Sequence, residues 1–153
     1  MKKILPLTTI FDLILIDQVT KYLARNYLEN KIEVFSFFSL NFVENEGIAF
    51  SLPVARYIII PLTILVICWL GIEIYKTYNK KHTNYYLQYS YVLIFAGATG
   101  NLIDRVIYSK VTDFLSVLSF PVFNLADSFI SVGVALFIFS EIFQKNSSLP
   151  KSS

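Results

Sequence analysis

Five aspartates stand out in a chain otherwise poor in charge: Asp12, Asp17, Asp104, Asp113 and Asp127. Two carboxylates sharing a water-poor site cannot both ionise easily, because desolvation and mutual repulsion raise one pKa. The ionised member can take a proton from water while the protonated member donates one to a carbonyl oxygen. Such a pair hydrolyses a peptide bond with neither a metal nor a covalent intermediate. Other routes to the same reaction lack their residues. The lone histidine, His82, falls in a lysine-bearing segment away from the acids, so a Ser–His pair is excluded. A Ser–Lys pair has only Lys21 and Lys110 near the right side. The lone cysteine, Cys68, lies mid-way along an apolar run without a base. Zinc sites draw three or four ligands from His, Cys and carboxylates, so no metal and no cofactor is expected.

The elements that must position these acids are membrane helices. Of 153 residues, 55% are hydrophobic and only 16% are charged, with a mean hydropathy of +0.57. Soluble domains carry roughly 25% charged residues, so this composition points to a bilayer as solvent. The length allows one domain, residues 1–153. A net charge of +2 with no basic, aromatic-interleaved cluster argues against nucleic acid as a partner.

A spanning helix needs about 20 mostly apolar residues. Four stretches come close: 4–24, 57–75, 83–103 and 120–143. The first begins after Met1-Lys2-Lys3 and resembles a signal peptide, but Asp12 and Asp17 interrupt it and no cleavage site follows. It reads as an uncleaved helix. The stretch 25–55 is too polar to span, and its 33–42 portion, EVFSFFSLNF, suggests short strands or an interfacial platform. The tail 146–153 is polar and expected to be disordered. The expected fold is therefore all-α, four transmembrane helices with a small extracytoplasmic β-like platform after the first.

Lysines set the orientation. Lys2, Lys3, Lys76, Lys80, Lys81, Lys145 and Lys151 put both termini and the loop after the second span in the cytoplasm. Asp17, Asp104, Asp113 and Asp127 then converge on the outer side, with Asp113 in an outer loop. Asp127 lies 16 residues before Phe143, about 24 Å of helix in a layer about 30 Å thick, hence below the outer surface. An intramembrane acid is a functional candidate by default. Plain ion pairing is the competing reading. It is strong for Asp17 with Lys21, spaced i, i+4, and for Asp104. It is weaker for Asp127, whose own helix holds no Lys or Arg before Lys145. Asp12 lies deep in the first span, and a hydrogen bond to a neighbouring helix is its expected role.

Five segments, in order, resemble the motifs of the lipoprotein signal peptidase (signal peptidase II) family of bacterial intramembrane aspartyl proteases. They are Asp17-Gln18-Val19-Thr20-Lys21, Asn45-Glu46-Gly47-Ile48-Ala49-Phe50, Gly100-Asn101-Leu102-Ile103-Asp104-Arg105, Val111-Thr112-Asp113-Phe114 and Phe123-Asn124-Leu125-Ala126-Asp127-Ser128. One departure is visible: the third motif is preceded by Ala96-Gly97 where the family usually has two glycines. The resemblance implies removal of signal peptides from diacylglyceryl-modified prolipoproteins, on the N-terminal side of the lipidated cysteine, at the bacterial cytoplasmic membrane. It implies Asp113 and Asp127 as the catalytic pair. Asn45, Asn101, Arg105 and Asn124 would line the site, and Asp17, Lys21, Gly47 and Asp104, in the same motifs, would support it. Lipidated precursors and membrane lipids are the expected partners of a monomer. A small four-helix proton-coupled transporter, with Asp127 as its ion site, is the alternative. Against it, the polar residues crowd one side and no internal repeat appears.

Overall fold

The computed structural model describes residues 5–47, 56–80 and 84–147. Its elements, in chain order, are α1 (Leu5–Tyr27), β1 (Ile32–Phe35), β2 (Phe38–Asn45), α2 (Arg56–Asn79), α3 (Tyr85–Tyr108), β3 (Val111–Val117) and α4 (Leu125–Ser147). Each helix has 23 or 24 residues, about 35 Å of rise.

Helix α3 is the hub: α4, α2 and α1 all pack against it, and α2 and α4 form no substantial helix pair with each other. Close approach of α3 to α4 depends on glycine. A Cβ on Gly97 would stand 2.3 Å from the carbonyl oxygen of Ala126, and one on Gly133 would stand 2.7 Å from Ile94 Cγ1. At one end of the bundle Ile10, Leu70, Ile74, Tyr91 and Val92 make an apolar core, with the Trp69 ring edge-on to Tyr91. The other end is polar and carries the sheet. Asn84 ties the apolar end together: its side chain accepts from the Tyr86 amide, starting α3, and donates to Ser140 Oγ of α4.

Two helical stretches, Tyr57–Asn79 and Leu125–Ile142, are long and apolar enough to cross a membrane. The four expected spans thus correspond to four helices, two of which meet that criterion. In α1 the charged residues Asp12, Asp17, Lys21 and Arg25 lower the apolar content. In α3 Gln88, Ser90, Asn101 and Asp104 do, and all four are buried against the neighbouring helices rather than facing outward.

The strands form one antiparallel sheet in the order β1-β2-β3. The expectation of short strands in 33–42 corresponds to β1 and β2. The third strand was not anticipated, and it corrects the placement of Asp113, which sits in β3 opposite Val43 rather than in a loop. The same strand explains why α4 begins at Leu125 and not near residue 120. The apolar residues before it serve the sheet: Phe123 donates to the Leu115 carbonyl at 2.9 Å, and its own carbonyl accepts from Phe114 and Leu115. At the other end α4 runs to Ser147, past the expected start of the disordered tail. Residues 1–4, 48–55, 81–83 and 148–153 lie outside the described residues, and with them Lys2, Lys3, Lys81, His82, Lys151 and the Ile48–Phe50 part of the second motif.

Candidate active site

Asp127 is placed by the way α4 starts. Asn124 is the N-cap residue. Its Oδ1 accepts from the Asp127 amide at 2.9 Å, and its own amide donates to Asp127 Oδ2 at 3.3 Å. This reciprocal pair is a capping box built from Asn and Asp. It fixes the Asp127 carboxylate in the first turn, where the helix dipole favours negative charge.

Asp113 is placed by the sheet. Asn45 pairs with Val111, so it is the diagonal neighbour of Asp113 on the same face. Asn45 Nδ2 donates to Asp113 Oδ2 at 3.0 Å, and Asn124 Nδ2 donates to Asp113 Oδ1 at 2.6 Å. Asn124 is thus bonded to both acids. Asp113 is 2% exposed, and burial pushes its carboxyl up to about 6. The charge of Asp127 pushes the same way, while the bonds from Asn45 and Asn124 and the charge of Lys21 oppose the shift.

Asn101 Nδ2 donates to Asp127 Oδ1 at 2.8 Å. Arg105, one turn on, donates to the carbonyl of Gly47 at 3.2 Å, and the Gly47 amide donates to Asn45 Oδ1 at 3.0 Å. The guanidinium therefore ties α3 to the end of β2. Asn45, Asn101, Arg105, Asp113 and Asp127 face a cavity of about 570 Å³. Its remaining wall is mostly apolar, supplied by α2 (Ile59, Leu62, Val66), Ile94 of α3 and Ile130 of α4. No motif marks those α2 residues, and nothing in their spacing singles them out.

Asp17, Lys21 and Asp104 do not line the cavity; they lie buried behind it. Lys21 Nζ is 2.9 Å from Asp17 Oδ2 and 3.9 Å from Asp104 Oδ2, and all three residues are fully buried. Asp17 Oδ1 accepts from the Ala126 amide at 2.9 Å, so an α1 carboxylate caps the first turn of α4. A Cβ on Gly100 would come within 2.5 Å of Asp17 Oδ2, so this glycine admits a carboxylate and not merely a neighbouring helix. Asp104 accepts from the Thr112 amide at 2.9 Å and pairs with Arg25 at 3.3 Å. Arg25 also donates to Thr112 Oγ1 and lies over the Tyr108 ring. Two acids and two bases make this cluster formally neutral, and it joins α1, α3, β3 and the start of α4. Sequence reasoning passed over Arg25, although the spacing 17, 21, 25 puts it on the same helix face. Asp12 departs from expectation: it is exposed on α1 rather than bonded into a neighbouring helix. Among the described residues no group of three His, Cys, Asp or Glu side chains is arranged to hold a metal ion.

Comparison with known proteins shows what the chain as a whole is similar to. A family model described as signal peptidase (SPase) II matches residues 9–143. The lipoprotein signal peptidase of Thermodesulfovibrio yellowstonii is 40% identical over 144 residues, covering 88% of this chain and 92% of that one. That of Halothermothrix orenii is 41% identical over 129 residues, covering 82% and 86%. A bacterial membrane enzyme solved at 2.3 Å resolution superposes with a TM-score of 0.86 at 28% identity, over 97% of this chain and 93% of the other. A second, solved at 1.9 Å, gives 0.75 at 30% identity, over 89% and 91%.

Proposed function

The chain belongs to the signal peptidase II family, and from that premise we propose that it is an aspartyl endopeptidase that removes signal peptides from lipid-modified prolipoproteins within the membrane. The observation that carries the aspartyl mechanism is the pair Asp113 and Asp127, held from β3 and α4 against one cavity by asparagine amides on every side. Burial favours the proton on Asp113. Asp127, held in the first turn of α4 by Asn124 and facing the Asn101 amide, is assigned the part of the base. Asp127 takes a proton from water as the water oxygen attacks the scissile carbonyl. Asp113 gives its proton to the carbonyl oxygen. Collapse of the tetrahedral species breaks the C–N bond, and the proton on Asp127 passes to the leaving amine. The dyad ends with one proton, as it began, once Asp113 recovers its own from the hydroxyl of the collapsing species.

The protein is an integral membrane protein. Four spans are the reading we adopt, with both termini cytoplasmic and the dyad toward the extracytoplasmic side of the bacterial cytoplasmic membrane. Helix length supports it. So do the exposed apolar side chains on all four helices, among them Phe11 and Leu15, Leu62 and Leu65, Val106 and Ile107, Val132 and Ile138. Two spans of lower apolarity are tolerated because most of their polar residues turn into the bundle or sit near its polar end, Asp12, exposed on α1, being the exception. The transporter alternative loses its support, since the family acts on signal peptides and the deep acids gather at one end.

The cavity suits a lipidated substrate: polar at the dyad, apolar along α2, α3 and α4. Acyl chains contribute about 0.8 kcal/mol per buried CH₂ to membrane partitioning, so a diacylglyceryl cysteine is held with its glycerol near the depth of Asp127. The scissile bond on its N-terminal side then meets the dyad in a fixed geometry. Purified protein in one membrane mimetic should cut a lipidated precursor peptide far faster than the same peptide with unmodified cysteine at matched surface concentration. Equal initial rates would remove the lipid from the account.

A further inference from the structure

Three asparagine amides touch the two acids, and each is oriented by a partner that only donates. The Gly47 amide donates to Asn45 Oδ1 and the Asp127 amide to Asn124 Oδ1. The third orienting donor is a side chain: Lys21 Nζ donates to Asn101 Oδ1 at 2.9 Å. An ammonium has three donors and no acceptor, so Asn101 must turn its oxygen toward Lys21 and its NH₂ group toward Asp127. The bond from Asn101 Nδ2 to Asp127 Oδ1 is 2.8 Å. Turned over, the amide would set its oxygen against a carboxylate oxygen. Asn124 Nδ2 gives one hydrogen to Asp113 at 2.6 Å and the other to Asn101 Oδ1 at 3.2 Å, so Lys21 is the shorter and the charged of two donors on that oxygen. Balancing Asp17 and Asp104 would require a cation at Lys21, yet would not require that cation to be bonded to Asn101.

We propose that Lys21, buried on α1 and outside the cavity, is a positioning residue for the reaction: it holds the Asn101 amide so that a donor, not an acceptor, faces Asp127. The proposal rests on the reading of Asp113 and Asp127 as the dyad. Without Lys21 the amide keeps only the longer bond from Asn124, so its hold weakens and Asp127 faces a less firmly fixed donor in the transition state.

Lys21→Met alone would leave the buried cluster with an excess acid, so it is combined with Asp17→Asn, which restores neutrality; the Asp17→Asn reference itself carries one excess base. Four enzymes are compared: Asp17→Asn as reference, the same with Lys21→Met, the same with Asn101→Ala, and the same with both. Monodispersity and melting temperature establish folding. Lys21→Met should lower kcat on the order of 10- to 100-fold, less than outright removal of a catalytic donor can, with KM changed by less than about threefold, as for an interaction made in the transition state. Asn101→Ala should lower kcat at least as much, and adding Lys21→Met to it should change nothing further, because Lys21 acts through Asn101. Unchanged kcat on Lys21→Met, or losses that multiply in the combined variant, would overturn the proposal. If Lys21→Met prevents folding or the reference is inactive, the unsubstituted protein labelled with 15N-asparagine decides. Its Asn101 NH₂ resonance, identified by its loss in Asn101→Ala, should move on Asp127→Asn, and an unmoved resonance overturns the proposal. Asp127→Asn separates the two readings: if that enzyme remains active the dyad is wrong, whereas an inactive one with multiplying Lys21 and Asn101 losses refutes only the positioning role.

Discussion

Asp113 carries opposing demands at one carboxyl. It is buried enough to retain its proton to about pH 6, yet it accepts two amide hydrogen bonds that favour its charged form. The consequence for stability has a definite sign. An unperturbed aspartate titrates near 3.9, so the folded protein holds this proton more tightly than the unfolded chain does. The resulting stabilisation is complete below about pH 4 and is lost as pH rises through about 6. Asp113→Asn lacks that dependence. Its stability relative to the unsubstituted protein should rise between about pH 4 and pH 7 by about 1–3 kcal/mol, read from paired thermal melts in detergent; a constant difference would contradict the assignment. Activity offers a second reading. Removing the Asn45 bond by Asn45→Leu should move the alkaline limb of kcat/KM to higher pH by on the order of one unit, the equivalent of one hydrogen bond to a charged group. A limb unmoved or shifted down would show that Asn45 does not act on the titrating acid.

At the scale of elements, the site exists because three local structures end at one place: the capping box of α4, the β2–β3 ladder and the polar end of α3. Gly97 sets the spacing between the two helices. Gly97→Ala would drive a methyl group into the Ala126 carbonyl, so α3 and α4 must separate. Such overpacking destabilises by about 1–3 kcal/mol, and displacing Asp127 by about 1 Å can lower the rate on the order of 100-fold. Gly71→Ala is the control. Its Cβ would meet only Phe95 Cε2 at 3.7 Å, so full activity is expected there and a strong loss in Gly97→Ala; equal behaviour would contradict the packing account. The helices were legible because apolar runs of about 20 residues have few other uses. The third strand was not legible, since VTDFLSV between two apolar stretches carries no alternation that separates strand from loop. The Phe120–Phe123 segment departs from a helix for a backbone reason that its apolarity does not reveal: Phe123 bonds to β3, while Phe120 and Pro121 stay exposed. The buried neutral cluster was half legible. The spacing of Asp17 and Lys21 marked a pair, but its union with Asp104 and Arg25 is tertiary.

For the whole molecule, the polar end must face outward if it is to meet exported precursors. Reporter fusions at Lys80 and Lys110 should give opposite readings, the first cytoplasmic and the second extracytoplasmic; identical readings would reverse or dissolve the topology. On the proposed reading, orientation, lipid anchoring and the apolar cavity deliver one bond to one pair of acids, and this pair does the chemistry. That reading is tested most directly with purified unsubstituted, Asp113→Asn and Asp127→Asn proteins, each shown to be folded, acting on the same lipidated precursor in the same membrane mimetic. An amide can be neither the base nor the protonated acid, and general acid–base groups contribute about 10² to 10⁴ in rate. Both variants should therefore keep their fold and lose about a hundredfold or more in initial rate, whereas a folded variant cutting the precursor at more than roughly a tenth of the unsubstituted rate would contradict the dyad.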